Sequence, residues 1–183
     1  MTILQRLISI IFLLGLLTNT SFAQDGGSYV IDKKEIEAVF EQGLGNLATG
    51  RTISDIVIRH VDVGEEFIGV SVVQRSKTEV TASETGIAHV DLDETYYIVS
   101  GEGTMVTGGE FIDMQTSHSD LLGDMQRGQI RGGVLQKVKP GDIAIIPKGM
   151  PHGWHEIVTD SIGYIIFRSD PNKVMSEKYV HPH

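Results

Sequence analysis

The sequence predicts an all-β barrel or sandwich with one short helix near its start. Three observations lead there. Period-two alternation and short β-branched runs recur along most of the chain. Clusters such as Val63-Gly64-Glu65, Ser100-Gly101-Glu102-Gly103 and Lys139-Pro140-Gly141-Asp142 punctuate them at regular intervals. Helical periodicity occurs convincingly only once. Many short strands with almost no helix are the pattern of a closed or face-packed sheet.

Taken in order, the chain opens with a nearly unbroken apolar run over 7–17, preceded by Arg6 and followed by Thr18-Asn19-Thr20-Ser21. The run is about half of the roughly 20 apolar residues needed to cross a bilayer. Ser21 and Ala23 supply small residues where a signal peptidase cuts, so 1–23 reads as a secretory signal removed after Ala23, with an uncleaved anchor as the alternative. No membrane association is expected after cleavage. The remaining 160 residues are the size of one domain, and losing Arg6 takes the formal charge from −9 to about −10.

Residues 24–52 form a helical extension. Ile36, Val39 and Phe40 share one face over 32–42, and Gly43 is placed to end the helix. Strands are expected at 53–63, 66–75, 78–81, 95–99, 103–107, 134–138, 142–146, 155–158 and 162–168, all within a barrel spanning 53–170. The stretch 112–133 is polar, Gly-rich and long, which reads as a lid, binding loop or flap. Residues 171–183 read as a frayed tail.

Composition excludes several functions. An acidic surface without a Lys/Arg stripe repels phosphate backbones, so no nucleic-acid partner is expected. The absence of Cys removes disulfides, thiolate zinc sites and cysteine nucleophiles.

Two stretches carry the chemistry. In the first, His89 ends a strand, Asp91 to Asp93 make a turn, and Glu94 opens the next strand, where alternation puts Glu94, Tyr96 and Ile98 on one face and Thr95, Tyr97 and Val99 on the other. In the second, a buried strand from Gly141 runs into the turn Pro147-Lys148-Gly149, which delivers His152 to the mouth of another strand. Two imidazoles and one carboxylate on neighbouring strands make a facial set that suits Fe(II), and also Mn, Ni or Zn, with positions left open.

The chain resembles the cupin superfamily. Gly141, Pro147, Gly149 and His152 match the spacing of its second motif, G-x5-P-x-G-x2-H-x3-N, and depart from it only in having Glu156 at the last place. Of the first motif, Glu94 and Gly101 stand with six residues between them, and His89 precedes Glu94 by the four intervening residues of the second histidine position. Ile87 falls where the first histidine belongs. The resemblance implies a jelly-roll β-barrel (double-stranded β-helix), one divalent metal held by His89, Glu94 and His152, and a homodimer formed through the outer sheet face of Tyr97 and Val99.

Other residues are read more plainly. His60 is expected in the core or a pocket wall, His118 in solvent, and His155 pointing away from the cavity. His181 and His183 belong to the tail. Asp91 is a turn residue and the reserve ligand. Glu156 is expected to face inward with His152 and Trp154, as a hydrogen-bonding or proton-moving group. Tyr96 either packs or, beside a metal, acts as a general base. The function expected is a metal-dependent lyase, isomerase or dioxygenase on a small molecule; the alternative is a non-catalytic barrel that binds a small molecule or metal.

Overall fold

The computed structural model describes residues 28–81, 83–177 and 179–182, so the expected signal segment lies outside the described residues. All the elements below belong to one unit, Ile31–His183.

Helix α1 spans Lys33–Ala48 and is capped by Asp32, whose carboxylate accepts from Glu35 N at 2.9 Å. It runs through Gly43 instead of ending there. Gly43 is buried against Gln74, and a Cβ would stand 1.9 Å from Gln74 Oε1. The glycine therefore permits close approach to the sheet, at about 1 kcal/mol of helix propensity, and termination falls to Thr49 and the positive-φ Gly50. Ile36, Val39 and Phe40 pack on Ile56, Ile58 and Val72.

Ten antiparallel strands follow: β1 (Ile53–Asp62), β2 (Phe67–Thr78), β3 (Glu84–His89), β4 (Asp93–Ser100), β5 (Gly103–Thr107), β6 (Glu110–Ser119), β7 (Gly123–Arg131), β8 (Val134–Val138), β9 (Ile143–Ile146) and β10 (His152–Asp170). Strand β10 belongs to two sheets. Its C-terminal half lies between β2 and β4, giving the order β1-β2-β10-β4-β9. Its N-terminal end lies between β3 and β5, giving β6-β7-β3-β10-β5-β8. The result is a jelly-roll barrel, a double-stranded β-helix. Val73, Tyr96, Ile98, Met105, Ile157 and Tyr164 fill its core.

Four further sequence expectations change. The strands expected at 155–158 and 162–168 are one strand, with register breaks where it passes between sheets. No strand forms over 78–81, because β2 ends at Thr78. The stretch 112–133 is mostly the β6–β7 hairpin, with Gly123 at φ 69° closing its turn; neither of its faces is consistently buried, so no apolar alternation marks it. The tail is not frayed. Met175 is buried with Phe67 and Leu92, and Val180 bridges Arg59, with His60 N bonded to Tyr179 O and His181 N to Ile58 O, each at 2.8 Å.

His60 is buried under this tail, with Nδ1 2.8 Å from Ser176 O. Burial is the largest influence on it and holds its pKa below the usual imidazole value, against the Ser176 carbonyl, which raises it. The unfolded chain therefore takes up a proton near pH 6.5 that the folded chain refuses, and stability falls as the pH drops below that value. Thermal melts between pH 7.5 and 5 should show this slope, and His60→Asn, which keeps a donor for Ser176, should flatten it.

Candidate functional site

The two motif stretches meet at one end of the barrel. Gly149, at φ 75°, donates its N–H to His89 O at 2.7 Å, and Lys148 N donates to Asp93 Oδ1 at 2.9 Å. These bonds clamp the Pro147-Lys148-Gly149 turn onto the β3–β4 turn and set His152 opposite Ile87. The His89 and His152 rings then lie 6.3 Å apart. Asp91 accepts from Asn172 at 2.8 Å and, like Asp93, serves the turn.

Glu94 lies at the centre, 1% exposed. Its Oε1 accepts from Arg168 Nε at 2.8 Å and stands 3.2 Å from His89 Nε2. Its Oε2 accepts from the Tyr96 hydroxyl at 2.9 Å and stands 3.2 Å from His152 Nε2. Arg168 Nη1 also donates to Ser71 Oγ at 2.6 Å, and Nη2 to Asp55 Oδ2 at 3.1 Å. Burial by itself would raise the Glu94 pKa, but the Arg168 guanidinium and both imidazoles outweigh it and hold the carboxyl well below the usual carboxylate range. Burial first, and then the Glu94 charge, push the Tyr96 phenol well above its ordinary value. The Tyr96 hydroxyl is thus held protonated as a hydrogen-bond donor to Glu94.

Arg168 was invisible to pattern reading, although a signal existed. On β10 it continues the inward stripe of Ile162, Tyr164 and Ile166, all buried, and a cation at such a place requires a buried anion. Glu156 is not at this site. A bulge between Trp154 and Glu156 inserts one residue against β5, which turns Ile157 inward and Glu156 away, where it accepts from Thr104 at 3.0 Å. His155 pairs with Glu84, and His118 with Asp124 on the exposed hairpin.

A cavity of about 690 Å³ opens above the cluster, bordered by His89, His152, Ile87, Trp154, Arg75 and Met125 among others.

Strand order and the clamped motif turns together decide the fold. It is the cupin fold. No protein-family model matches the chain, and no curated protein matches it. Solved structures do. A protein with a double-stranded β-helix domain from Klebsiella pneumoniae is 18% identical, over 64% of this chain and 75% of that one, at a TM-score of 0.38. A Bacillus halodurans protein is 17% identical over 87% and 88%, at 0.40. The FeII form of HppE is 14% identical over 55% and 42%, at 0.39. Likenesses this distant say nothing of what this chain does.

The donor set can be tested against the divalent metal that the cupin resemblance implies. One observation favours an ion: the buried Nε2 of His152 has no hydrogen-bond partner, while its Nδ1 lies 3.0 Å from Met150 O. More observations oppose it. Both Glu94 oxygens already accept from fixed donors, a guanidinium stands 2.8 Å from one of them, and Ile87 occupies the place of a further ligand. Among the described residues no group of three or more His, Cys, Asp or Glu is arranged to hold a metal ion. As the side chains stand, they do not fit one.

If Arg168 is the cation that neutralises Glu94, Arg168→Met should cost about 3–5 kcal/mol, the penalty for leaving a buried charge alone. Removing both charges in Glu94→Gln/Arg168→Met should cost less than the two single changes added together. Urea unfolding of the four proteins measures this, and additive costs would show that the two charges do not depend on each other.

Proposed function

We infer that this chain is an exported binding barrel that captures a small molecule in the cavity above Glu94. The observation that carries the reading is the buried Glu94–Arg168 pair at 2.8 Å. With a guanidinium already supplying the positive charge, the Glu94 carboxylate beneath the His89 and His152 rings is balanced without an ion. The cavity volume lies within the range of small-molecule sites, roughly 300–1,000 Å³, and its lining mixes aromatic and aliphatic walls with a few polar groups.

The second reading is a metal-dependent lyase, isomerase or dioxygenase with Fe, Mn, Ni or Zn on His89, Glu94 and His152. The unpartnered His152 Nε2 is what favours it. Elemental analysis of the purified protein separates the two. The binding reading expects only trace metal, unchanged by His89→Ala or His152→Ala. One tightly held ion per chain, lost in both variants, would overturn it in favour of the metal enzyme.

Export through residues 1–23 and pairing of two chains belong to the same proposal. Tyr97, Val99, Ile143, Ile145 and Phe167 stand exposed on the outer face of β4, β9 and β10, with Tyr97 opposite Ile143 and Thr95 between Ile145 and Phe167. An apolar surface of this kind on a soluble chain is a candidate interface, and a second copy of the same face would cover it with two-fold symmetry. Native mass spectrometry of the secreted protein should find a dimer of chains beginning near Gln24. Tyr97→Glu with Ile145→Lys should leave the monomer; a monomeric parent would contradict the pairing.

A further inference from the structure

The cavity wall holds a charged group that the Glu94 network does not use. Arg75 lies on β2 in step with Ser71 and Val73, whose side chains face the barrel interior, and it is half-buried at the cavity wall. Its Nε donates to the Tyr164 hydroxyl at 2.9 Å. Tyr164 is itself fixed, 1% exposed and stacked on Tyr96 with ring centres 4.8 Å apart. The guanidinium is therefore held in place from behind, while among the described residues its two terminal nitrogens have neither a hydrogen bond nor an ion pair. Asp55, on the neighbouring strand and lining the same cavity, is bonded to Arg168 instead.

His152 borders the same space with its ring, its buried Nε2 turned toward Glu94 Oε2 at 3.2 Å. Trp154, the only tryptophan in the chain, adds a flat apolar wall together with Met125 and Ile112. Asp55 acts on Arg75 through its charge but does not bond it, so a pre-positioned cation with two unbonded terminal nitrogens beside an apolar wall is complementary to a ligand that carries one carboxylate and a hydrocarbon part.

We propose that the cavity takes a small monocarboxylic acid, whose carboxylate pairs end-on with Arg75 Nη1 and Nη2 and whose hydrocarbon part lies against Trp154. The proposal rests on the reading of this cavity as a ligand site. A guanidinium that presents two parallel N–H groups matches the planar carboxylate, and a partly desolvated cation gains most from such a pair. Single charge is favoured over double. Asp55 and Glu94 share Arg168, so that trio carries one net negative charge, and a dianion such as phosphate would meet more of its repulsion than a carboxylate does.

Trp154 is a built-in reporter, so titration of the mature protein followed by its fluorescence tests the proposal directly. Mandelate, mandelamide, phenylacetate and inorganic phosphate serve as probes. Mandelate and phenylacetate should both bind saturably, with the amide weaker than mandelate by about tenfold or more, the loss expected when a charged partner goes unmet. Phosphate should bind more weakly still. In Arg75→Gln the preference for mandelate over its amide should vanish while binding of the amide persists; Arg75→Lys, which keeps the charge on a folded barrel, should retain part of that preference. Equal binding of acid and amide by the parent, or an undiminished preference in Arg75→Gln, overturns the carboxylate pairing and leaves the cavity a site for neutral molecules. Tighter binding of phosphate than of mandelate overturns the carboxylic acid in favour of an inorganic oxyanion. No response to any probe, by fluorescence or by thermal shift, overturns the carboxylic acid and counts against the ligand-site reading as well.

Discussion

A carboxylate that is almost wholly withdrawn from water must have its charge met, and the barrel is organised around meeting that of Glu94. An unpaired ion in such a place costs several kcal/mol. Four groups surround its two oxygens: Arg168 Nε, the Tyr96 hydroxyl, and the Nε2 atoms of His89 and His152. Through Arg168 the network continues to Ser71 and Asp55. It therefore ties β1, β2, β3, β4 and β10 to one point, and any movement of one sheet against the other would strip donors from a buried anion. Directional polar contacts of this kind fix the relative placement of the sheets in a way that apolar packing, which has no direction, does not.

Strand β10 is the mechanical counterpart of that network. It carries His152 at one end and Arg168 near the other, and it belongs to both sheets. The bulge at Trp154 and Glu156 keeps the apolar stripe facing inward as the strand changes neighbours, so Trp154 and Ile157 both reach the core while Glu156 does not. One inserted residue thus decides which acidic side chain belongs to the interior.

This bears on what could be read from the sequence. His89, Glu94 and His152 were legible because fixed turns bring them together, and turn residues such as Gly149 leave a local signature. The inward direction of Tyr96 was legible because β4 alternates without interruption. Glu156 was misplaced because a bulge shifts the alternation and has no strong sequence mark. Arg168 and Arg75 were passed over for another reason. Each lies on an inward stripe, but the partner that makes a buried cation tolerable comes from a strand 74 or 89 residues away in the chain. The continuation of α1 through Gly43 was hidden in the same way, since the glycine answers to Gln74 on β2 and not to its helical neighbours. Local chemistry was readable; long-range compensation was not.

The docking of Val180 and its neighbours along β1 has a consequence for how copies of this chain meet. Strand β1 is the last in its sheet, and its outward backbone groups would otherwise be free to pair with any extended peptide. The final residues act as a sacrificial covering strip over that rim. A protease that trimmed them would leave the Glu94 network untouched yet bare the backbone groups of Ile58 and His60 to another strand.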